Sequence, residues 1–303
     1  MGSKKSIVVT GASGFLGSHL ISRLKDDASY EVYALSSNPD LLKDRVGGEN
    51  IHYLHKNDLF RDGANSFIEN SVIVNCAYPR NSTGTVIADG IKYIQRVFEA
   101  DVLNNARSII NISSQSVYSQ QRTEPANEQT PVCLESPYAV GKYAVELMLE
   151  SICKGHNTAY TNIRMASLIG QGFDQRIVNR FVKQGLETGS INVKNNNQRF
   201  GFFDVEDAVS GIAVMFDSDE KQWKHVYNLD SRGAYSLVDI AETVNKVICS
   251  ESGKKIQINL TDGDESGSSE LDSSLHADDF GFAPKISLEM SISRILNGLL
   301  IGG

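Results

Sequence analysis

The chain has 303 residues, 41% of them hydrophobic and 22% charged, enough apolar surface to bury a large core and too little charge for a disordered segment. A formal charge of -8 argues against nucleic acid or an anionic membrane as partner. Cys76, Cys133, Cys153 and Cys249 lack metal-ligand spacing, six scattered histidines supply no metal site, and neither an 18-residue apolar run nor a cleavable signal is present, so we expect a cytoplasmic protein with reduced thiols and no metal.

Taken in chain order, the first half alternates strand-like and helix-like segments. "SIVVT" (6–10) precedes a helix from Phe15, and "EVYAL" (31–35), "IHYLH" (51–55) and "SVIVN" (71–75) follow. A long amphipathic helix over about 85–106, "RSIINIS" (107–113), a helix carrying Tyr138 and "AYTNIRM" (159–165) continue the pattern. That order predicts an α/β fold, a doubly wound parallel Rossmann sheet, over 1–166. Residues 167–303 are expected to form mainly a smaller interleaved C-terminal substrate-binding lobe, with elements near 200–230 returning to the sheet. The polar stretch "TDGDESGSSELDSS" (261–274) reads as a mobile loop.

"VVTGASGFLGSHL" places Gly11, Gly14 and Gly17 between an apolar strand and an amphipathic helix. Glycines there permit a tight turn and close backbone approach, and a helix N-terminus favours a pyrophosphate. Ser13, Phe15 and Leu16 belong to the same cofactor turn. At the end of the second strand, where an acid selects NAD, the chain has Ser36, Ser37 and Asn38. Loss of the carboxylate removes repulsion against a 2′-phosphate, so a small preference for NADP over NAD is expected. Lys43 and Arg45 would reach that phosphate only if their segment folds inward.

"ESPYAVGKYAVE" puts Tyr138 and Lys142 four residues apart, on one helical face. Alone this spacing is equally that of two snorkelling surface residues. Ser114, however, follows a strand at the sheet's carboxyl edge, where open α/β sheets bind ligands. A phenol, an ammonium and a hydroxyl are together what carbonyl reduction needs: a proton donor, a cation that tunes it, and a group that holds the reacting oxygen.

With "TGASGFLG", "NDL" (57–59), "NCA" (75–77), "SSQSVY", "SPYAVGK", "RFGFFDVEDA", "YNL" (227–229) and "FGFAPKISLEMSI" in this order, the chain resembles the extended short-chain dehydrogenase/reductases, the nucleotide-sugar epimerases, dehydratases and ketoreductases. The resemblance implies Tyr138 as acid/base, Lys142 as its tuner and ribose ligand, Ser114 on the reacting oxygen and Asp58 against adenine, with Leu59, Cys76 and Ala77 in the cofactor site. It implies a nucleotide-diphosphate sugar as substrate and a homodimer built on the helices near 85–106 and 136–155. Tyr78, Arg80, Ser114, Gln115, Ser167 and Arg199 are the expected substrate contacts.

Departures from the family pattern fall on the substrate side. After the sixth strand the chain reads Arg164, Met165, Ala166, Ser167 in place of Arg-x-x-Asn, and Arg199 lies one residue further from Asp207 than the family's phosphate-binding arginine. A bulge absorbs the slip, or Arg199 is an ordinary surface charge. Asp204, Glu206 and Asp207 read as a helix cap. The expected function is hydride transfer at a sugar carbon, C4, leaning to reduction of a 4-keto sugar. The alternatives are a nucleotide-sugar 4-epimerase with bound NAD and, in another class, a non-catalytic dinucleotide-binding regulator.

Overall fold

Runs of apolar residues long enough to be covered on both faces dictate the central sheet. The computed structural model describes residues 4–79, 84–231 and 233–301. Its elements begin with β1 (Lys5–Thr10), α1 (Phe15–Leu24), β2 (Tyr30–Ser36), α2 (Pro39–Val46), β3 (Ile51–His55), α3 (Asn65–Ile68), β4 (Val72–Asn75), α4 (Gly84–Leu103), β5 (Ser108–Ile112), α5 (Pro137–Cys153) and β6 (Ala159–Met165). Then come β7 (Ser167–Ile169), α6 (Ile177–Thr188), β8 (Ser190–Asp204), α7 (Val205–Ala213), β9 (Val226–Leu229), β10 (Ala234–Tyr235), α8 (Leu237–Ser252), β11 (Gln257–Ser268), α9 (Ser274–Phe280) and α10 (Leu288–Ile301). The main sheet has seven strands in the order β3-β2-β1-β4-β5-β6-β9. Its order reverses beside β1, as in a doubly wound Rossmann fold. β4 and β5 are buried along their whole length, the signature of a parallel sheet covered by helices.

The chain divides into two compact units, one of Met1–Val117, Cys133–Arg164 and Ile212–Tyr227, the other of Tyr118–Val132, Met165–Gly211 and Asn228–Gly303. In the first unit, Val8, Leu35, Ile73 and Ile109 of the sheet pack against Ile94, Val97 and Phe98 of α4 and Val145 and Leu149 of α5. A row of polar side chains crosses this otherwise apolar sheet. Thr10 Oγ1 donates to Asn75 Oδ1 at 2.7 Å, Asn75 Nδ2 to Asn111 Oδ1 at 2.9 Å, and Asn111 Nδ2 to Asn162 Oδ1 at 2.8 Å. Since a one-residue slip would turn each amide out of line, the row fixes register across β1, β4, β5 and β6. The residues that follow Thr10 and Asn75 are those of the candidate site.

In the second unit, β8 pairs with β7 and β11 in parallel and with β10 antiparallel. Helices α6, α8 and α10 cover it through Phe181, Val244 and Ile292. Here the sequence reading is corrected: most of the polar stretch expected as a mobile loop is strand, because β11 pairs with β8 from Gln257↔Ser190 to Ser268↔Arg199, with a register shift between Asp262 and Ser266. Among the described residues no helix is long and apolar enough to cross a membrane.

Candidate active site

The glycine turn joins β1 to α1. Gly11 has φ +66, and a Cβ on it would fall 2.6 Å from the backbone nitrogen of Ala77. A Cβ on Gly17 would fall 2.4 Å from the Gly11 carbonyl oxygen. The first glycine therefore lets the 76–77 segment lie against the turn, and the third lets the helix close onto it. Gly14 is the N-cap of α1 and, among the described residues, no side chain caps that helix end, so the α1 N-terminus presents the positive end of its dipole to an anion. Ser13, Phe15 and Leu16 occupy this turn and first helical residues. The donor set fits the pyrophosphate of a dinucleotide.

At the end of β2 the polar side chains accept bonds from the local backbone at Ser36 and Asn38. Ser36 is 2% exposed, its Oγ accepts from Asn38 N at 3.0 Å, and Asn38 Oδ1 accepts from Leu41 N at 3.2 Å as the cap of α2. Ser37 is exposed. The inward fold that the sequence leaves open is supplied by α2: Arg45, in its last turn, donates from Nη2 to the Ser13 carbonyl at 3.2 Å. Asp58 Oδ2 accepts from His55 N at 2.9 Å and Oδ1 lies 2.7 Å from Arg61 Nη1. Leu59 beside it is buried.

Helix α5 is started by Ser136, which accepts from Ala139 N at 3.2 Å, with Pro137 in the first helical position. Tyr138, Lys142 and Glu146 then follow at successive turns. Lys142 Nζ donates to the Ile112 carbonyl at 2.7 Å, and the next residue, Ser113, donates its hydroxyl to Glu146. Two consecutive residues at the end of β5 are thereby fixed to two consecutive turns of α5, and Ser114 comes directly after them. Its Oγ accepts from Ser116 N at 3.2 Å and from Ser116 Oγ at 3.0 Å, opening the 3-10 turn Gln115–Val117. Gln115 Oε1 is buried and has no hydrogen-bond partner among the described residues.

Tyr78 completes the group. Its ring meets Tyr138 edge to face, centroids 5.3 Å apart, and Lys142 Nζ sits 4.2 Å from its centroid against 5.9 Å from that of Tyr138. Burial pushes the Tyr78 phenol up to about 12, with Tyr138 adding to the shift, and pushes the Cys76 thiol up to about 12 against the pull of Lys142. Both groups are therefore neutral near pH 7.

Arg80 falls outside the described residues. Ser167 opens β7, opposite Phe202 of β8, in the second unit. Arg199 is also in the second unit, where its guanidinium donates to the Ala234 carbonyl and lies 3.5 Å from Asp239. Asp204 accepts from Glu206 N at 2.9 Å, as a cap would, but also from Ser291 Oγ, and Asp207 accepts from Lys285 N and Ile286 N, tethering a loop. Among the described residues no cluster of His, Cys, Asp or Glu is placed to hold a metal ion.

A dinucleotide turn, a Tyr-x-x-x-Lys helix and a serine at the end of β5 define a short-chain dehydrogenase/reductase type of protein. The profile of the NAD dependent epimerase/dehydratase family matches residues 7–230, and the chain belongs to that family. Protein CapI of Staphylococcus aureus is 25% identical over 297 residues, 85% of this chain and 87% of that one. UDP-glucuronic acid decarboxylase 6 of Arabidopsis thaliana is 24% identical over 306 residues, covering 94% and 86%. Among solved structures, UDP-glucuronic acid 4-epimerase from Bacillus cereus, in complex with UDP-glucuronic acid and NAD, matches at TM-score 0.84 and 21% identity, covering 98% of this chain and 99% of that one.

Proposed function

We propose that the protein is an NAD-dependent nucleotide-sugar 4-epimerase acting on a UDP-linked sugar, UDP-glucuronic acid being the first candidate. The observation that carries the reading is the grouping of Tyr138, Lys142 and the Ser114 strand end by the Ile112 and Ser113 contacts of α5. In this reading the Tyr138 oxygen takes the proton of the sugar 4-hydroxyl and later returns it. Ser114 holds that oxygen by hydrogen bonding, and the Lys142 ammonium stabilises the phenolate while the proton is away. NAD, held at the Gly11–Gly17 turn, would supply hydride acceptor and donor chemistry at C4. The UDP-glucuronic acid chemistry named for two of the relatives supports the uronic acid.

A second reading, net reduction of a 4-keto sugar with NADPH, is favoured by two observations. No acid stands at Ser36, and Arg45 is brought to the glycine turn. Incubation with NAD and UDP-glucuronic acid, followed by chromatography and mass spectrometry, separates the outcomes: an isomer of unchanged mass is expected. Loss of carbon dioxide would indicate decarboxylation, and NADPH consumption on a 4-keto sugar would indicate reduction. No turnover of any UDP- or dTDP-sugar with either cofactor removes the enzymatic reading.

The family resemblance also leads us to propose a homodimer. Exposed Val140 and Leu147 of α5 and Val86 of α4 offer an apolar face, and Ile87, Ile91, Pro137 and Ala144 line an open groove between these helices. A second copy of the same face is the expected occupant. Light scattering on Val140→Glu should give half the mass found for the parent protein. A monomeric parent at micromolar concentration removes the proposal.

A further inference from the structure

We propose that Tyr78 is a positioning residue for Lys142, its ring face carrying the ammonium, and that residue 141 is glycine because a side chain there would evict the ring. The functional importance of this arrangement rests on the catalytic reading of Lys142 above.

Lys142 is 6% exposed. A charge so enclosed needs partners on several sides. On one side its Nζ donates to the Ile112 carbonyl, and on another it lies 4.2 Å from the centroid of the Tyr78 ring, within the range of a desolvated cation–π contact. The groups around it are Tyr78 and Cys76 from the segment after β4, both held neutral by burial. Tyr138 and Glu146 stand one turn away on its own helix, and the Glu146 carboxylate is taken by Arg164 and Ser113. The ring face of Tyr78 is thus a fixed source of negative potential against the ammonium, and its edge-to-face contact with Tyr138 ties the same ring to the proposed proton donor.

Gly141 lies inside the 17-residue helix α5, where glycine is the poorest helix former apart from proline. Its presence is explained by space. A Cβ built there would fall 2.1 Å from the Tyr78 hydroxyl oxygen, but 3.4 Å from Tyr78 Cζ and 3.4 Å from Ile87 Cγ2, which are ordinary contacts. The hydroxyl alone excludes a side chain. The Tyr78 Oη also donates to the Tyr138 carbonyl, at a long 3.5 Å, so the ring is held against the first turn of α5. The pair Tyr78 and Gly141 is therefore interdependent: removing the hydroxyl should make room for alanine, and alanine without that removal should displace the ring.

The test follows Lys142 itself. Its pH-dependent acylation by acetic anhydride is read by peptide mass spectrometry, with exposed Lys92 as internal reference, in the full chain at equal dinucleotide occupancy. The parent protein is compared with Tyr78→Leu, Tyr78→Phe, Gly141→Ala and the double variant Tyr78→Phe/Gly141→Ala. Loss of a buried cation–π contact removes stabilisation of the charged amine, so Tyr78→Leu and Gly141→Ala should each lower the pH of half-reaction of Lys142 by about one unit. Tyr78→Phe keeps the ring and should keep the parent value, and the double variant should recover what Gly141→Ala lost. Identical titration in the Tyr78→Leu variant and the parent, or no recovery in the double variant, overturns the proposal. Should Gly141→Ala fail to fold, the comparison of Tyr78→Leu with Tyr78→Phe decides. Because no substrate is needed, failure to find turnover would remove the catalytic reading and leave this result standing.

Discussion

Arg164 and Glu146 form a forked ion pair inside the first unit, with Nη2 2.7 Å from Oε2 and Nε 3.1 Å from Oε1. Both are almost fully enclosed, at 5% and 4% exposure. Taking the two charges out of water is costly, so the pair is weak evidence of net stabilisation, whereas breaking it leaves one buried charge without its partner. Its geometric effect is definite. Glu146 also receives the Ser113 hydroxyl, so the charged position of β6, the middle of α5 and the end of β5 are joined one residue before Ser114. Arg164→Met should cost roughly 3 to 5 kcal/mol in urea unfolding, and Arg164→Met/Glu146→Leu should recover most of it. A single variant as stable as the parent would show that the pair is not buried as described.

Tyr138→Phe removes the oxygen proposed to transfer the proton but leaves the ring that packs on Tyr78. Turnover should fall by about 10²-fold to 10⁴-fold, the usual contribution of a positioned acid/base, with NAD affinity unchanged by titration. Near-parent turnover would assign the chemistry to another group.

Much of this is legible in the sequence, and the parts that are not have physical reasons. β1, β4 and β5 announce themselves because they are largely or wholly buried and correspondingly apolar. β11 does not, since most of its side chains are exposed or half-buried and only its backbone is paired to β8; composition carries no record of backbone pairing. Among site residues, Tyr138 and Lys142 are separated by a helical turn, a spacing that puts them on one face but is set apart from two surface side chains only by the glycine turn and Ser114 elsewhere in the chain. Glu146 continues that spacing by one more turn, but its partner Arg164 lies on a different element, and Gly141 has meaning only once Tyr78 is placed over it. Arg45 reaches the glycine turn only along the short helix α2, whose direction no local pattern of residues encodes.

Asp101 stands outside the site, fully buried in α4, and neither carboxyl oxygen has a hydrogen-bond partner among the described residues. Burial holds its carboxyl well above the usual range. The sign follows from linkage. Below about pH 4 the folded and unfolded states both carry the proton, and above it the unfolded chain ionises while the folded chain does not, so stability falls as pH rises until the folded carboxyl itself ionises. Asp101→Asn removes that dependence. The stability difference between variant and parent should grow in the variant's favour by up to about 1.4 kcal/mol per pH unit above about pH 4, measured by urea unfolding at a series of pH values. A difference independent of pH would mean that Asp101 ionises alike in both states.

The choice of nicotinamide cofactor turns on the junction of β2 and α2. The chain belongs to the NAD dependent epimerase/dehydratase family, and nothing in the turn excludes NAD. The hydroxyl of Ser36 is 2% exposed, which limits its reach to a 2′-phosphate, whereas Asn38, whose Oδ1 caps α2, keeps its Nδ2 donors. Arg45 differs, because its guanidinium is exposed and anchored by one nitrogen to the Ser13 carbonyl, leaving other donors on the same planar fork. A charge-assisted bond to phosphate contributes roughly 1.5 to 3 kcal/mol, so Arg45→Ala should weaken NADP binding by about tenfold or more and leave NAD binding nearly unchanged. Ser36→Asp adds a carboxylate that accepts bonds from the ribose and repels the phosphate, and should move preference toward NAD. Calorimetric dissociation constants for both dinucleotides on the three proteins decide the matter. An NAD to NADP affinity ratio unchanged by Arg45→Ala would remove Arg45 from cofactor selection, and tight NAD binding with no detectable NADP binding by the parent would remove the NADPH-dependent reductase reading.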